Sequence, residues 1–161
     1  MGCGCRGREL AGELLAAGHA VRGTTRDPAH VADIEAAGAE AVVADPDRLG
    51  TLLPSIEGIS VICWLLAGAT GEPAAVAALH GPRLRSLLER LVDAPVRGLV
   101  YEAAGSVDAA ALHEGTAIVR SANETFHIPV EILSADPADH AAWAGEALEA
   151  VLRVLGERPG V

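Results

Sequence analysis

The sequence predicts an α/β protein with a doubly wound parallel sheet, helices on both faces, and a first strand that is missing or truncated. Short apolar runs alternate with helical segments along the chain. The run at residues 59–66 is apolar, as expected of a parallel strand buried on both faces. A glycine-rich turn stands directly before the first helix, and only Met1 precedes it. Because parallel strands need a crossover, usually a helix, this alternation favours a parallel sheet.

The helices are indicated by leucines at helical spacing and by end signals. Gly18 and Gly38 are typical helix-ending glycines. In the pairs Asp27-Pro28 and Asp136-Pro137, the aspartate is suited to cap a helix and the proline to take its first position. In order, helices are predicted at about residues 8–17, 28–38, 82–92, 117–126 and 137–155.

The strands are indicated by short apolar runs that turn residues delimit. The second is closed by Asp45-Pro46-Asp47, and the third is followed by a small-residue loop at 67–71, at the carboxyl end of the strand. In order, strands are predicted at about residues 19–24, 39–44, 59–66, 98–102 and 130–133.

The missing first strand is a problem for this architecture. In the usual strand order, 3-2-1-4-5-6, the strand before the glycine turn lies in the middle of the sheet. Without it, its two neighbours would leave unpaired backbone groups in the core, which is costly. We expect the natural start to lie several codons upstream, in a run rich in Val, Ile or Leu. The alternative is a sheet that closes across the gap.

Composition narrows the class of protein. The 161 residues predict a single domain over residues 1–161 with no separate substrate domain, and 50% of them are hydrophobic. A net charge of −10 argues against nucleic acid or an anionic membrane as a partner, because both need a basic face. Without a signal peptide or a membrane-spanning apolar stretch, a cytoplasmic location is expected. A homodimer is left open.

The cysteines and histidines show no metal-binding pattern. Cys3, Cys5 and Cys63 cannot all pair, and their spacing fits no zinc or thioredoxin-like motif. A helix N-terminus could lower the pKa of the first two thiols, which would suit a redox role, but small residues tolerated in a glycine turn are the favoured interpretation. Asp139 and His140 fit a capped first helical turn better than a ligand set.

The glycine turn has the spacing Gly-x-Gly-x-x-Gly at Gly2, Gly4 and Gly7, with Cys5 and Arg6 between the last two. The first glycine allows a tight turn, the second lets the backbone approach a pyrophosphate, and the third lets the helix pack closely. The helix N-terminus directs N–H groups and a positive dipole end at the phosphates. The turn therefore predicts a dinucleotide site.

Nearly the whole chain, in order, resembles a minimal NAD(P)-binding Rossmann protein of the atypical or extended short-chain dehydrogenase type, which includes NAD-dependent epimerases and NmrA-like proteins. The stretches that carry the resemblance are residues 2–7, 18–26, 43–45, 100–107, 122–124 and 128–133. The resemblance implies that Asp45 bonds the adenine amino group and that Ala67 and Gly68 lie under the cofactor ribose. Asp45 could equally cap the turn that it begins.

The residues after the second strand of such folds choose between NAD and NADP, because an arginine can pair with the 2′-phosphate. Arg26 is the best candidate, with Thr25 or Arg22 assisting; the alternative is a solvated arginine at a strand end. Arg6 could reach the same phosphate. Asp27 is a helix cap rather than a ribose ligand, because Pro28 follows it. NADP(H) is therefore favoured over NAD(H).

Catalysis is where the family pattern fails. Related reductases use a Tyr-x-x-x-Lys pair, but all twelve basic residues of this chain are arginine. Tyr101 is expected to be a packing residue, and the segment at 107–117 is expected to be much shorter than the catalytic helix it replaces. Glu102 and Ser106 are weak catalytic candidates, and an exposed or capping glutamate is the alternative for the first.

Three functions remain open. The first is a cofactor-binding or redox-sensing module. The second is an atypical oxidoreductase or epimerase with non-standard catalytic residues, whose substrate enters over residues 67–73. The third is a scaffold that has lost its ligand. The absent lysine favours the first.

Overall fold

The computed structural model describes residues 3–157, and within them it has five strands and seven α-helices. The strands are β1 (Arg22–Thr25), β2 (Glu40–Val43), β3 (Val61–Trp64), β4 (Gly98–Glu102) and β5 (Val130–Leu133). The helices are α1 (Cys5–Ala16), α2 (Val31–Ala36), α3 (Leu49–Ile56), α4 (Pro73–His80), α5 (Pro82–Leu91), α6 (Ala109–Phe126) and α7 (His140–Leu155). A 3-10 turn, Pro28–His30, leads into α2.

The strands form two parallel sheets. One contains β1 and β2, and the other has the order β3-β4-β5. Thr24 lies opposite Val42 in the first sheet, and Tyr101 lies opposite Ile132 in the second. The predicted parallel α/β architecture is confirmed. The alternative of one sheet closing across the gap is wrong for residues 3–157, because β1 and β3 are not paired.

The three-stranded sheet is covered on both faces. On one face the buried side chains of Trp64 and Tyr101 pack with leucines of α5 and with α6. On the other face Val100 and Leu133 pack with Trp143 of α7 and with α1. All five residues of β4 are buried, as expected of a central strand between two helical layers.

Three helical regions differ from the sequence prediction. Helices α3 and α4 were not predicted, and α6 begins eight residues earlier than residue 117. The expectation of a much shorter segment there is wrong, because Asp108 accepts a hydrogen bond from the Ala110 N–H and starts the helix at Ala109. Gly115 lies inside α6 because a Cβ there would overlap the Tyr101 hydroxyl.

The remaining bounds differ by a few residues. The 3-10 turn and α2 divide the helix predicted at 28–38, and Asp27 caps the turn as predicted, accepting from the Ala29 N–H at 2.9 Å. Strand β3 is shorter than the predicted run at 59–66, whereas β4 and β5 have the predicted bounds. Among the described residues, no helix is both long and apolar enough to cross a membrane.

Candidate functional site

A cleft lies where the carboxyl ends of β1, β3 and β4 meet the N-terminus of α1. Its volume is about 500 Å³. The lining comes from the α1 turn, the ends of the three strands and α7, and includes Gly4, Arg6, Arg26, Gly68 and Glu102. In open α/β sheets, ligands bind outside the carboxyl ends of the strands at such a position. We call this the carboxyl-end cleft.

The N-terminus of α1 is open toward ligands. Gly4 takes the N-cap position and supplies no side-chain hydrogen bond, so no side chain caps the helix. The first N–H groups of any helix lack an intrahelical acceptor, and they carry its positive dipole end. A Cβ placed on Gly4 would meet nothing within 4 Å, so the backbone is approachable here. Cys5 is exposed and lines the same cleft, as does Gly7. Gly2 lies outside the described residues.

Glu102 is the buried centre of the cleft floor, with 1% of its surface exposed. Its Oε1 accepts hydrogen bonds from Arg6 Nη2 and Trp143 Nε1, both at 3.0 Å. Its Oε2 accepts one from the Ala67 N–H, also at 3.0 Å. The alternative of an exposed or capping glutamate is therefore wrong. This carboxylate ties α1, the loop after β3, and α7 together.

Arg6 is directed at this carboxylate and not at the end of β1. Its guanidinium lies 5.5 Å from the centre of the Trp143 ring, within cation–π range. Nη2 lies against Gly68, where a Cβ would come within 3.2 Å of it. Arg6 Nε is buried and has no hydrogen-bond partner. The charge of Arg6 is therefore held on the floor of the cleft that Arg26 also lines, and the expectation that Arg6 reaches the 2′-phosphate stays a prediction.

The polar side chains at the two ends of β1, Arg22 and Thr25, both make hydrogen bonds within the protein. Thr25 Oγ1 is within hydrogen-bond distance of the backbone N and O of Asp27, at 3.2 and 3.1 Å. Arg22 lies at the other end of the strand, where it donates to Glu40 Oε2 at 2.8 Å and to the Ser55 and Glu57 carbonyl oxygens. The expectation that Arg22 assists at a 2′-phosphate is corrected by this geometry.

Arg26 remains exposed on the wall of the carboxyl-end cleft. Its side chain makes no ion pair or hydrogen bond with any other residue in the range 3–157. The Asp27 carboxylate is occupied by its cap, so the wall near the end of β1 offers an unpaired cation.

The other predicted cofactor contacts lie on the loops after β2 and β3. Asp45 Oδ1 accepts from the Asp47 N–H at 3.0 Å, which is the capping role, while Ala44 and Pro46 line the cleft on either side of it. Ala67 is fully buried, and its carbonyl accepts from the Val107 N–H at 2.9 Å. Gly68 is exposed at the cleft.

A second buried polar pair, His80 and Tyr101, supports the loop after β3, and no local sequence pattern predicts it. The Tyr101 hydroxyl and His80 Nδ1 are 2.8 Å apart, and His80 Nε2 is 3.2 Å from the Leu66 carbonyl oxygen. Because the carbonyl can only accept, Nε2 carries the proton and Nδ1 accepts from the tyrosine. Leu66 directly precedes the loop that carries Ala67 and Gly68.

Burial shifts the pKa values of both Tyr101 and His80. It raises the pKa of Tyr101, and the nearby charges of Glu102 and Glu114 raise it further. Burial lowers the pKa of His80, against the effect of its hydrogen bond to Leu66. Tyr101 is fully buried, which confirms its packing role. Ser106 is exposed on the loop after β4 and is not part of the cleft lining.

The comparisons with known proteins bear on the family to which the chain belongs. A family model described as NAD(P)H-binding matches residues 2–127, which include the glycine turn, Arg26 and Glu102. Comparison with curated proteins and with solved structures gave no match. Within residues 3–157, no cluster of three His, Cys, Asp or Glu side chains could hold a metal ion.

Proposed function

Because the chain belongs to the NAD(P)H-binding family, we propose that it is an NADP(H)-preferring protein that works as a cofactor-binding or redox-sensing module. The observation that carries the proposal is the exposed, unpaired Arg26 on the wall of the carboxyl-end cleft. Membership of the atypical short-chain dehydrogenase group, near the NmrA-like proteins, is part of the proposal.

The cleft fits a dinucleotide in three respects. Its volume of about 500 Å³ lies within the usual range of small-molecule sites. The uncapped N-terminus of α1 offers N–H donors to a pyrophosphate, and Gly4 keeps side chains out of the way. Thr25 and Arg26 would hold the adenosine ribose, while Ala67 and Gly68 would lie under the other ribose.

The preference for NADP(H) rests on charge at the end of β1. NAD-binding sites of this kind use an acidic side chain that accepts from the ribose 2′-hydroxyl. Here the acidic side chain, Asp27, caps the 3-10 turn. Arg26 is next to it and can pair with the 2′-phosphate in a charge-assisted hydrogen bond.

A binding role is favoured over catalysis by the state of the ionisable groups. Glu102 already accepts three hydrogen bonds, so it has little capacity to take a proton from a substrate. The raised pKa of Tyr101 makes it a poor acid at neutral pH. No lysine is present to activate a tyrosine.

Calorimetric titration of the purified chain with NADPH and then NADH tests the proposal. We expect binding with a preference for NADPH. Arg26→Ala should weaken NADPH binding about tenfold or more, since a hydrogen bond to a charged group contributes about 1.5–3 kcal/mol, and should leave NADH binding nearly unchanged. Arg120→Ala, an exposed arginine on α6, is the control and should change neither.

Two results would contradict the proposal. Equal affinity for both cofactors in the unsubstituted chain would remove the NADP preference. Consumption of NADPH in a panel of carbonyl substrates would favour the alternative, an atypical oxidoreductase or epimerase with non-standard catalytic residues, because a pure binding module turns nothing over.

A further inference from the structure

The loop after β3, residues 66–69, lines the carboxyl-end cleft and is held by two buried polar side chains. We call it the β3 loop. Glu102 Oε2 accepts a hydrogen bond from the Ala67 N–H at 3.0 Å, and His80 Nε2 lies 3.2 Å from the Leu66 carbonyl oxygen. Buried polar groups that are fully bonded make their surroundings rigid. The β3 loop is therefore fixed in the protein without a ligand.

Ala67 is the residue of the β3 loop that the end of β4 holds most closely. Its N–H is bonded to Glu102, and its carbonyl oxygen accepts from the Val107 N–H at 2.9 Å. Gly105 lies so near that a Cβ there would overlap the same carbonyl oxygen. Because only glycine lets the two loops approach so closely, a side chain at position 105 would displace the β3 loop.

Glu102 also fixes the spacing between the β3 loop and α1. Its Oε1 accepts from Nη2 of Arg6, the second residue of α1, at 3.0 Å. The same Nη2 would lie 3.2 Å from a Cβ on Gly68, so the guanidinium lies beside both the carboxylate and the loop. One carboxylate therefore sets the distance between the proposed pyrophosphate position at α1 and the proposed ribose position at the β3 loop.

Arg26 belongs to a different part of the molecule. It follows β1 of the two-stranded sheet, whereas Glu102 is the last residue of β4 in the three-stranded sheet. Its side chain is exposed and makes no hydrogen bond with Glu102. A displacement of the β3 loop should therefore leave Arg26 in place.

From these contacts we propose that Glu102 and Gly105 are positioning residues, which place the β3 loop at the spacing from α1 that the nicotinamide half of the dinucleotide requires. This placement rests on the proposed function, in which Ala67 and Gly68 lie under the ribose of that half. Arg26 recognises the adenosine half by charge, and the β3 loop recognises the nicotinamide half by shape. A loop that is fixed before binding loses little entropy when the ligand arrives, which favours affinity.

The experiment compares two ligands by calorimetric titration against variants of the full chain. NADPH engages both halves of the site, whereas adenosine 2′-phosphate carries only the adenosine ribose with its 2′-phosphate. Glu102→Gln keeps the size of the side chain and removes its charge. Gly105→Ala displaces the Ala67 carbonyl oxygen and changes no charge, so it remains informative if the first variant does not fold. Gly50→Ala on α3, where a Cβ meets nothing within 4 Å, is the matched control.

We expect Glu102→Gln and Gly105→Ala each to weaken NADPH binding at least fivefold and to leave adenosine 2′-phosphate binding within twofold of the unsubstituted chain. Gly50→Ala should change neither affinity, and Arg26→Ala should weaken both. A merely structural role would not separate the ligands, since partial unfolding lowers both apparent affinities by the same factor. Without ligand, amide exchange at residues 67–69 should accelerate at least tenfold more than in α5 in the first two variants.

Two sets of results would overturn the proposal, and they are distinguishable. If the unsubstituted chain binds both ligands, then an equal loss of both affinities, or an unchanged NADPH affinity, in either folded positioning variant overturns the proposal alone. Unchanged amide exchange at residues 67–69 does the same. If the unsubstituted chain binds neither ligand, the proposed function is wrong, and the proposal that rests on it is wrong as well.

Discussion

The two sheets differ in how firmly they are held. In the three-stranded sheet, β4 is buried along its whole length between two helical layers. In the two-stranded sheet, no residue of β2 is buried, and Val43 is 49% exposed. Yet β1 of the weaker sheet leads to Arg26, the residue proposed to choose the cofactor. The comparison teaches that the well-buried three-stranded sheet carries the cleft floor at Glu102. Arg26, on the cleft wall, follows instead a two-stranded sheet with little core of its own.

Removing the buried carboxylate on the cleft floor is expected to have the largest effect. Glu102→Ala leaves Arg6, Trp143 Nε1 and the Ala67 N–H without their acceptor. Breaking a buried ion pair from one side typically costs about 3–5 kcal/mol, and we expect that loss in the free energy of unfolding measured in urea. Glu102→Gln, which keeps acceptor and shape, should lose less.

The matched control for this substitution is Glu89→Ala, at an exposed position on α5. It should change the free energy of unfolding by less than about 0.5 kcal/mol. A similarly small effect of Glu102→Ala would mean that the Arg6 contact does not hold α1 to the three-stranded sheet.

The contact between α6 and β4 offers a second test of how tightly the three-stranded sheet is packed. In Gly115→Ala, the new Cβ overlaps the Tyr101 hydroxyl, so α6 or the tyrosine must move. Overpacking of this kind costs about 1–3 kcal/mol, although alanine is the better helix former. Gly145→Ala on α7, where a Cβ meets nothing within 4 Å, should instead stabilise by about 0.5–1 kcal/mol. Urea unfolding of both variants should give opposite signs.

The α6 case shows where the sequence was informative and where it was not. The bounds of β4 and β5 were predictable because apolar runs mark them locally. The first turns of α6 were not predictable, because glycine is a poor helix former and Gly115 lies within them. A glycine is needed there because of contact with Tyr101, which lies on another element. Likewise, Arg6 and Glu102 are 96 residues apart, and no local pattern predicts their contact. Arg26 could be proposed because it follows a strand end directly.

Because His80 is buried beside β4, we expect the free energy of unfolding to fall at acidic pH. Because burial lowers its pKa, the folded state keeps the imidazole neutral while the unfolded state takes up a proton near pH 6.5. Unfolding then binds a proton, so stability contributed by this site is lost as the pH falls below about 6.5. We expect the difference in unfolding free energy between the unsubstituted chain and His80→Gln to shrink from pH 7.5 to pH 5.5. A constant difference would contradict this.

The smallest change in the free energy of unfolding is expected from a substitution that affects mainly the two-stranded sheet. Arg22→Ala removes the bonds from β1 to Glu40 and to the Ser55 and Glu57 carbonyl oxygens, which join β1 to the segment before β3. Because this arginine is partly exposed, we expect a global loss of only about 1 kcal/mol. Hydrogen exchange should nevertheless accelerate more at β1 and β2 than at β4, since only the two-stranded sheet loses an attachment. Arg97→Ala, which removes one bond to the Leu155 carbonyl oxygen, is the control and should leave β1 and β2 unchanged. Equal acceleration of exchange in both sheets would mean that they open as one unit. The inferred difference in stability between the three-stranded and the two-stranded sheet would then be wrong.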